Sequence, residues 1–461
     1  MNLLQVFIQF LTLWSPFFRQ SRSLIIAIRL SIGLVTIPGR KTISRAICGN
    51  GLEQVDWSSN YKFFSRSPWE SRKLFLPAID ESIKYSRHDY IGIGFDDTAV
   101  AKTGKHIPGV SYCRDPMSPP FNVNLILGKR FLQASALLPM YDHAEVPCLA
   151  TPIAFLEVPP VKKPSKKAGE NEWIAYKEEK KKRNMSHSFN QLLRDVRKDY
   201  DNSGAKNAII VAATDGSFCN KTVFCNEVER TRIVSRCRKN AKLCFKDTSK
   251  SRRFYAKEKF TPEQIRQDEK IPYLKTDIYF GSQNREVKYK CVEDIYWQGG
   301  AKRRPLRLIV LAPTPYRLTK KSRRNYRMPA YLLTTALDIP ISILIQIYFD
   351  RFHIEFNFRD EKQYIGVGDA QVRNPRSVKR QPCFVVASYS LLLLAALSVY
   401  GPERTAEYLP LPKWRNKSKA KRASSLDIIQ LLRKNLCENP EIVKRYNITT
   451  SALQLTTYSM N

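Results

Sequence analysis

Residues 208–216 form an uninterrupted apolar run that closes on an acid, Ala208-Ile209-Ile210-Val211-Ala212-Ala213-Thr214-Asp215-Gly216. A short run of this kind, bounded by turn residues, predicts a central strand that is buried on both faces of its sheet. Residues 90–98 predict a second, short strand, which begins at Tyr90 and ends in Asp96-Asp97-Thr98. The chain therefore predicts two strands of one domain that each end in aspartate.

Such a pair of strand ends is a familiar arrangement for binding metal ions. Carboxylates are hard ligands that suit Mg²⁺ or Mn²⁺. Two such ions about 4 Å apart can activate a water or a 3′-hydroxyl and stabilise the leaving oxygen of a phosphodiester. Two aspartates alone are weak evidence, because strand ends and turns favour Asp for structural reasons.

A long helix predicted from about 341 to 364 adds polar side chains to this picture. Tyr348, Arg351, Glu355 and Lys362 lie at offsets that place them within about 60° of one another on a helix, so they share one face. One acid, two bases and a phenol therefore project together. The ordinary structural explanation is an exposed helix face with an Arg351–Glu355 salt bridge, and the charges alone favour that explanation.

Composition limits the classes of protein to which the chain can belong. Its 461 residues carry 77 Lys+Arg against 42 Asp+Glu, a net charge of +35, which is typical of proteins that bind polyanions such as nucleic acid. Ten cysteines without a C-x-x-C pair and five histidines argue against a structural zinc site and indicate reduced thiols of a cytosolic protein. We expect no signal peptide, and we expect the apolar run 383–400 to be a core helix rather than a membrane span.

The order of predicted elements suggests five regions. We expect a helical domain over 1–85, which is either a plain helical bundle or a domain that binds DNA ends, and the first part of a strand-containing core over 86–219. Strand-like pieces and basic loops follow over 220–312. The remaining core, with the helix that carries Glu355, spans 313–400, and a basic C-terminal tail spans 401–461. The charged helix predicted over 173–200 is a candidate for DNA contact or for simple solvent exposure, and the tail contains a basic loop at 413–422.

Three motifs together resemble a known family. The spacing Tyr348-x2-Arg351-x3-Glu355-x6-Lys362 resembles the Y-R-E-K signature of cut-and-paste DDE transposases of the insertion-sequence-four type, and its context looks most like the insertion-sequence-701 branch. Asp96-Asp97-Thr98 with Lys102-Thr103-Gly104-Lys105 is similar to the first acidic motif of that branch. Thr214-Asp215-Gly216-Ser217-Phe218 is similar to the second. The motifs occur in the expected order, and the resemblance covers roughly residues 60–400.

The resemblance implies an α/β fold with a ribonuclease H-like catalytic core, a β-rich insertion before the catalytic glutamate and an all-helical N-terminal domain. It implies that Asp96, Asp215 and Glu355 are catalytic and hold two Mg²⁺ ions, for which Mn²⁺ would substitute. Adjacent strand residues face opposite sides. The family's acid stands two before Thr or Ser, which favours Asp96 and leaves Asp97 as the alternative. The DNA-contacting residues would be Tyr348, Arg351, Lys362, Lys102, Lys105 and Arg359.

The function implied is that of a transposase, which cleaves DNA at transposon ends and joins the freed 3′-hydroxyl to target DNA. Its partners would be double-stranded DNA, both transposon ends and target, and a second copy of the chain in the DNA complex. Its location would be the cytoplasm, associated with the nucleoid, with no membrane partner. The alternatives are an inactive, transposase-derived DNA-binding protein and a ribonuclease H-like nuclease that cuts without joining.

Overall fold

The protein is described by a computed structural model. It covers residues 1–461 except for 55, 87–88, 116–117, 120, 140–147, 250–251, 282, 318–321, 414–421, 447 and 449–461. Most of the basic loop 413–422 and the end of the C-terminal tail lie outside the described residues.

The first part of the chain is helical. Asn2 caps the first helix through a capping box with Gln5, which satisfies two N–H groups that the helix itself leaves unpaired. The helices are α1 (Leu3–Thr12), α2 (Ser21–Thr36), α3 (Ile43–Gly49), α4 (Ser58–Ser65) and α5 (Leu76–Ile83), with short 3-10 turns at Ser15–Phe17 and Ser71–Phe75. These bounds agree with the prediction that helices precede the first strand.

The centre of the molecule is a ten-stranded mixed sheet. Its strands are β1 (Tyr90–Ala101), β2 (Ser111–Arg114), β3 (Leu125–Leu138), β4 (Leu149–Glu157), β5 (Ile209–Thr214), β6 (Thr231–Arg236), β7 (Leu274–Tyr279), β8 (Asn284–Ile295), β9 (Leu306–Leu311) and β12 (Ala330–Thr334). A separate small hairpin joins β10 (Pro315–Tyr316) to β11 (Asn325–Tyr326). The predicted α/β class is thereby confirmed.

One half of the sheet has the order β4-β3-β1-β5-β6. In this half β3 runs antiparallel to both β1 and β4, whereas β5 and β6 run parallel to β1. Strands β12, β9, β8 and β7 then extend the same sheet by antiparallel pairing beyond β6. The strand-rich segment that follows β6 along the chain is therefore continuous with the central sheet.

The remaining helices cover the sheet and close the fold. They are α6 (Glu170–Lys182), α7 (Met185–Asn202), α8 (Lys221–Phe224), α9 (Pro262–Gln267), α10 (Gln298–Ala301), α11 (Ile341–Asp350), α12 (His353–Gln363), α13 (Pro375–Tyr400), α14 (Ser425–Glu438) and α15 (Pro440–Arg445). Along β5, Ile210 and Ala212 join the core on one face, while Val211 and Ala213 join the core beneath α11 and α12 on the other. The prediction that 208–216 forms a central strand buried on both faces is confirmed.

Helix α13 lies in the core that also contains Ile210 and Ala212. Asn374 caps its start, and Gly401, at φ 73°, ends it in a conformation that favours glycine. It contacts β4 and helices α1, α2, α4, α5 and α14. Within the described part of the chain α13 is the one helix long and apolar enough to cross a membrane, yet most of its apolar stretch is buried inside the molecule, as a core helix would be.

Three predicted elements differ from the structure. Strand β1 does not end at the acids but continues to Ala101, because β3 pairs with it as far as that residue. The predicted charged helix over 173–200 is two helices, since Asn184 caps a new start at α7. The predicted long helix over 341–364 is interrupted between Asp350 and His353, and this interruption shapes the site described next.

Candidate active site

Asp96 and Asp215 lie side by side on neighbouring parallel strands. Gly94 of β1 is paired in register with Ala213 of β5, and each aspartate lies two residues further along its strand direction. Parallel neighbours are about 4.8 Å apart, and residues two apart face the same side of a sheet. Both carboxyl groups therefore point to the face that α11 and α12 cover.

The Asp96 carboxylate is held by two donors. Its Oδ2 accepts from Arg351 Nη1 at 2.7 Å, and its Oδ1 accepts from the backbone N–H of Asp97 at 2.9 Å. Burial raises the pKa of Asp96 to about 7, with Arg351 opposing that rise and the charge of Asp215 adding to it. Asp96 is thus an acid whose charged form needs a cation beside it.

Asp97 is directed elsewhere. Its carboxylate pairs with Arg130 of β3 at 2.5 Å. It shares a side of β1 with Phe95, which contacts Phe189 of α7 on the face opposite α11 and α12. Of the two adjacent aspartates, Asp96 is the one that lies beside Asp215.

Asp215 is fixed by the turn that follows β5. Its Oδ1 accepts from the backbone N–H of Ser217 at 3.1 Å and from the Ser217 hydroxyl at 2.6 Å. The hydroxyl of Ser235 on β6 donates to the backbone carbonyl of Asp215 at 2.8 Å, which fastens the turn to the sheet. Among the described residues no partner contacts the second carboxylate oxygen, so that oxygen is available to a ligand.

A tight turn between α11 and α12 brings Arg351 to Asp96. Three N–H groups here bond three residues back, namely those of Phe352, Ile354 and Glu355 at 3.0–3.1 Å, as in a 3-10 helix. Arg351 is only 9% exposed, and its ion pair is with Asp96 rather than with Glu355. The structure therefore does not contain the exposed helix face with an Arg351–Glu355 salt bridge that the charges alone favoured.

Gly94 makes this close approach possible. A Cβ atom at Gly94 would meet Ile354 Cδ1 at 2.5 Å and Arg351 Cγ at 3.3 Å. Glycine therefore lets the α11–α12 turn rest directly on β1, which is what puts Arg351 within reach of Asp96.

Replacing Gly94 by valine should separate the turn from β1. We expect Gly94→Val to lower the free energy of unfolding by about 1–3 kcal/mol, because overpacking displaces Ile354 and the Arg351–Asp96 pair. Denaturant unfolding measures this. Gly299→Val is the matched control, since a Cβ at Gly299 meets no atom within 4 Å. Equal stability of the two variants would show that the close packing at Gly94 is not needed.

Glu355 and Tyr348 are the other two predicted site residues near Arg351. Glu355 lies in the first turn of α12, and desolvation raises its pKa against the opposing charge of Arg351. No side-chain hydrogen bond to Glu355 is found in the described part of the chain. Tyr348 is half-buried, and its phenol pKa is raised by burial, with Arg351 and Asp215 among the charges that act on it.

Lys362 is not part of this group. It is exposed in the last turn of α12, about 16 Å along the helix from Arg351. It lines a pocket of about 370 Å³ together with Arg40, Lys41 and Arg433. The charge of Arg351 therefore acts on both Tyr348 and Glu355, while Lys362 adds to a separate basic pocket.

The other three predicted DNA contacts have different surroundings. The amine of Lys102 donates to the carbonyls of Gly368 and Ala370 at 2.7 and 3.2 Å, which ties the loop after α12 to the end of β1. Lys105 is exposed on the following turn. Arg359 is exposed, pairs with the neighbouring Asp360 at 2.8 Å and lies over the Phe356 ring.

Several residues that shape the site were not identified from the sequence. Ser217 lies within the motif Thr214–Phe218, so its closeness to Asp215 in the sequence could have indicated that it hydrogen-bonds to that aspartate. Arg130 is 33 residues from the Asp97 that it neutralises, and no local pattern links them. Glu361 directly precedes Lys362, yet it is buried rather than exposed.

Glu361 should make stability depend on pH. It is 1% exposed, one of its oxygens has no partner among the described residues, and burial raises its pKa to about 8. An acid with a raised native pKa stabilises the fold while protonated, and this contribution is lost as pH rises towards and through 8. We expect Glu361→Gln to match wild type at pH 5 and to gain roughly 1–3 kcal/mol at pH 9 in denaturant unfolding.

The exposed Glu269 supplies the control for that prediction, because it carries the same charge on the surface. Glu269→Gln should leave stability unchanged at both pH values. A Glu361→Gln variant that is less stable than wild type at pH 9 would show that the buried carboxylate is charged and needed.

Comparison with known proteins adds no identification: no family model matches the chain, and no curated protein matches it.

Proposed function

We propose that this protein is a DDE transposase, which cleaves DNA at transposon ends and joins the 3′-hydroxyl to target DNA. The observation that carries the proposal is the placement of Asp96 and Asp215 at the same level of two parallel strands, with Arg351 paired to Asp96 and Glu355 on the next turn. Three motifs that are far apart in the sequence thus meet here: Arg351 of the third pairs with Asp96 of the first, which lies beside Asp215 of the second.

The strand arrangement supports a ribonuclease H-like core for this enzyme. In such a core, three antiparallel strands are followed by two strands that run parallel to the first. Strands β1, β3 and β4 and then β5 and β6 follow that pattern, with the order β4-β3-β1-β5-β6 in the sheet. Strand β6 lies within the range 220–312 that was predicted for the β-rich insertion, so the insertion would instead begin after β6 and end before α11.

The donor set fits Mg²⁺ or Mn²⁺. Asp96, Asp215 and Glu355 supply hard carboxylate oxygens, and one oxygen of Asp215 and the carboxylate of Glu355 have no partner within the described residues. Such oxygens suit small divalent cations that take their remaining ligands from water and phosphate. Two bound ions would supply activation of the attacking water or 3′-hydroxyl and stabilisation of the leaving oxygen.

The remaining residues would bind and orient DNA. Arg351 uses Nη1 for Asp96 and its Nε is buried, whereas Nη2 has no hydrogen bond among the described residues and would be the nitrogen offered to a phosphate. Tyr348 would contact the terminal nucleotide at the same place. Lys362, with the basic pocket beside it, would hold the backbone further from the cleaved bond as a point charge.

The net charge of +35 supports long-range attraction to double-stranded DNA. We also propose that two copies of the chain act together on paired transposon ends, as in the family that the sequence resembles. The reaction would take place in the cytoplasm, on nucleoid DNA.

A two-plasmid joining assay tests the proposed function. The full chain would be incubated in Mn²⁺ with a donor plasmid that carries its gene and native flanks and with a separate target plasmid. We expect joined products whose donor boundaries are fixed, and sequencing of the junctions identifies the transposon ends. Fixed cuts without joining would favour the nuclease, and DNA binding without cuts would favour the inactive binding protein; either result overturns the transposase.

A further inference from the structure

Three side chains with different donor atoms converge behind the α11–α12 turn. Cys148 immediately precedes β4, while Asp350 and His353 lie on either side of the turn. One donor atom from each residue lies within 4.8 Å of the other two. The donors come from chain segments about 200 residues apart, so the fold and not the local sequence brings them together.

The set is enclosed within the protein. Cys148 is 3% exposed, and Asp350 and His353 are half-buried. The Asp350 carboxylate accepts from Gln346 Nε2 at 3.0 Å, and no Lys or Arg among the described residues pairs with it. A carboxylate removed from water without a cation is costly, and a bound dication would offset that cost.

We propose that Cys148, Asp350 and His353 form a binding site for a transition-metal ion of the Zn²⁺ class. Sulfur, imidazole nitrogen and carboxylate oxygen are the ligands of tetrahedral Zn²⁺, and the thiolate disfavours Mg²⁺. Binding breaks the Cys148 S–H bond and forms a metal–sulfur bond, and the proton leaves to solvent. Thiolate and carboxylate together then balance the charge of the ion, and water completes the four ligands.

Arg422 is the group that competes with such an ion. Its Nη1 lies 3.4 Å from His353 Nδ1, and the same guanidinium donates to the Cys148 carbonyl. A dication bound to His353 repels this guanidinium, so Arg422 has to move aside when the metal binds. Removal of the Arg422 charge should therefore tighten metal binding.

The ion would fasten the start of β4 to the turn that presents Arg351 and Glu355. Its role would be positional, because none of its ligands belongs to the acids that we assign to Mg²⁺. The site is argued from its own side chains and does not rest on the proposed function.

Cobalt titration of the full chain tests this site. The metal-free, reduced protein would be titrated with Co²⁺, and we expect one equivalent to give visible bands of tetrahedral Co²⁺ and a near-ultraviolet thiolate charge-transfer band. Cys148→Ser should abolish the charge-transfer band. Asp350→Asn and His353→Gln should each weaken binding at least ~10-fold, and Arg422→Gln should strengthen it.

Two controls separate this site from other thiols and from the acidic cluster. Cys244→Ser removes another buried thiol, and Asp215→Asn alters the proposed Mg²⁺ site at a residue whose hydrogen bonds are to Ser217 and Ser235 rather than to the α11–α12 turn. Both variants should retain the full spectrum. Absence of a thiolate band in the wild-type titration would overturn the proposal, as would a band that persists in Cys148→Ser. If Cys148→Ser does not fold, unchanged Co²⁺ affinity in both Asp350→Asn and His353→Gln would also overturn it.

Discussion

Glu355→Gln should reduce Mn²⁺-dependent DNA cleavage at least ~10³-fold, which corresponds to about 4 kcal/mol of activation free energy. The change keeps the shape of the side chain but removes the charge that would complete the carboxylate set with Asp96 and Asp215. Because Glu355 has no side-chain hydrogen bond among the described residues, the fold should lose little stability. DNA affinity at low salt should also change little, because it depends on the basic surface. Cleavage and filter-binding assays at the same enzyme concentrations measure the two effects.

Glu172→Gln is the matched control for this experiment. Glu172 lies in the first turn of α6, as Glu355 lies in the first turn of α12, and α6 buries none of its residues. This control should cut as fast as wild type. If Glu355→Gln also cut as fast as wild type, Glu355 would not be a metal ligand.

Arg351→Ala should have the second largest effect. The ion pair with Asp96 is mostly buried, with 10% and 17% of the two side chains exposed. Loss of one partner from such a pair leaves a carboxylate without compensation and should cost about 2–4 kcal/mol of unfolding free energy at pH 8.5. We expect cleavage to fall at least ~10²-fold, because the same guanidinium would bind phosphate.

The pH dependence of this loss has a definite sign. Arg351 lowers the pKa of Asp96, so its removal raises that pKa above the value of about 7 found with the pair intact. At pH 5.5 Asp96 is protonated in both proteins and the pair contributes little, so the difference in unfolding free energy should shrink. At pH 8.5 the wild-type pair is charged and the difference should be largest.

Arg351→Lys separates charge from shape, because lysine keeps the charge near Asp96 but lacks the planar fork. It should recover most of the stability and little of the cleavage. A stability loss in Arg351→Ala that does not vary between pH 5.5 and 8.5 would contradict the role of this pair.

Much of the fold follows from local sequence patterns. The apolar run 208–216 predicted the central strand, which the structure places at Ile209–Thr214. Short apolar strands bounded by turn residues are specified by their immediate neighbours. The order of strands in the sheet could not be predicted, because it depends on pairings such as Leu333 with Ser235, almost 100 residues apart.

In the candidate site, too, local motifs could be recognised from the sequence, whereas contacts between distant elements could not. The motifs named Asp96, Asp215, Tyr348, Arg351 and Glu355, and the register of β1 and β5 explains why the aspartates lie together. The interruption between α11 and α12 could not be predicted, because the sequence at this point continues a helical pattern. The tight turn packs against Gly94 of β1, a contact that no local pattern in the turn indicates. The separation of Lys362 from Arg351 has a simpler origin, because the rise of a helix alone places the two residues about 16 Å apart, and it could have been predicted from the sequence.

Nucleotide-level mapping of DNA breaks tests the central claim most directly. Wild type and Glu355→Gln would be incubated in Mn²⁺ with a supercoiled plasmid that bears the gene and its native flanks. Our account predicts breaks at two fixed boundaries around the gene in the wild-type reaction and none above background in the variant. Breaks of equal number and position in both reactions would contradict the assignment of Asp96, Asp215 and Glu355 as the metal-binding acids.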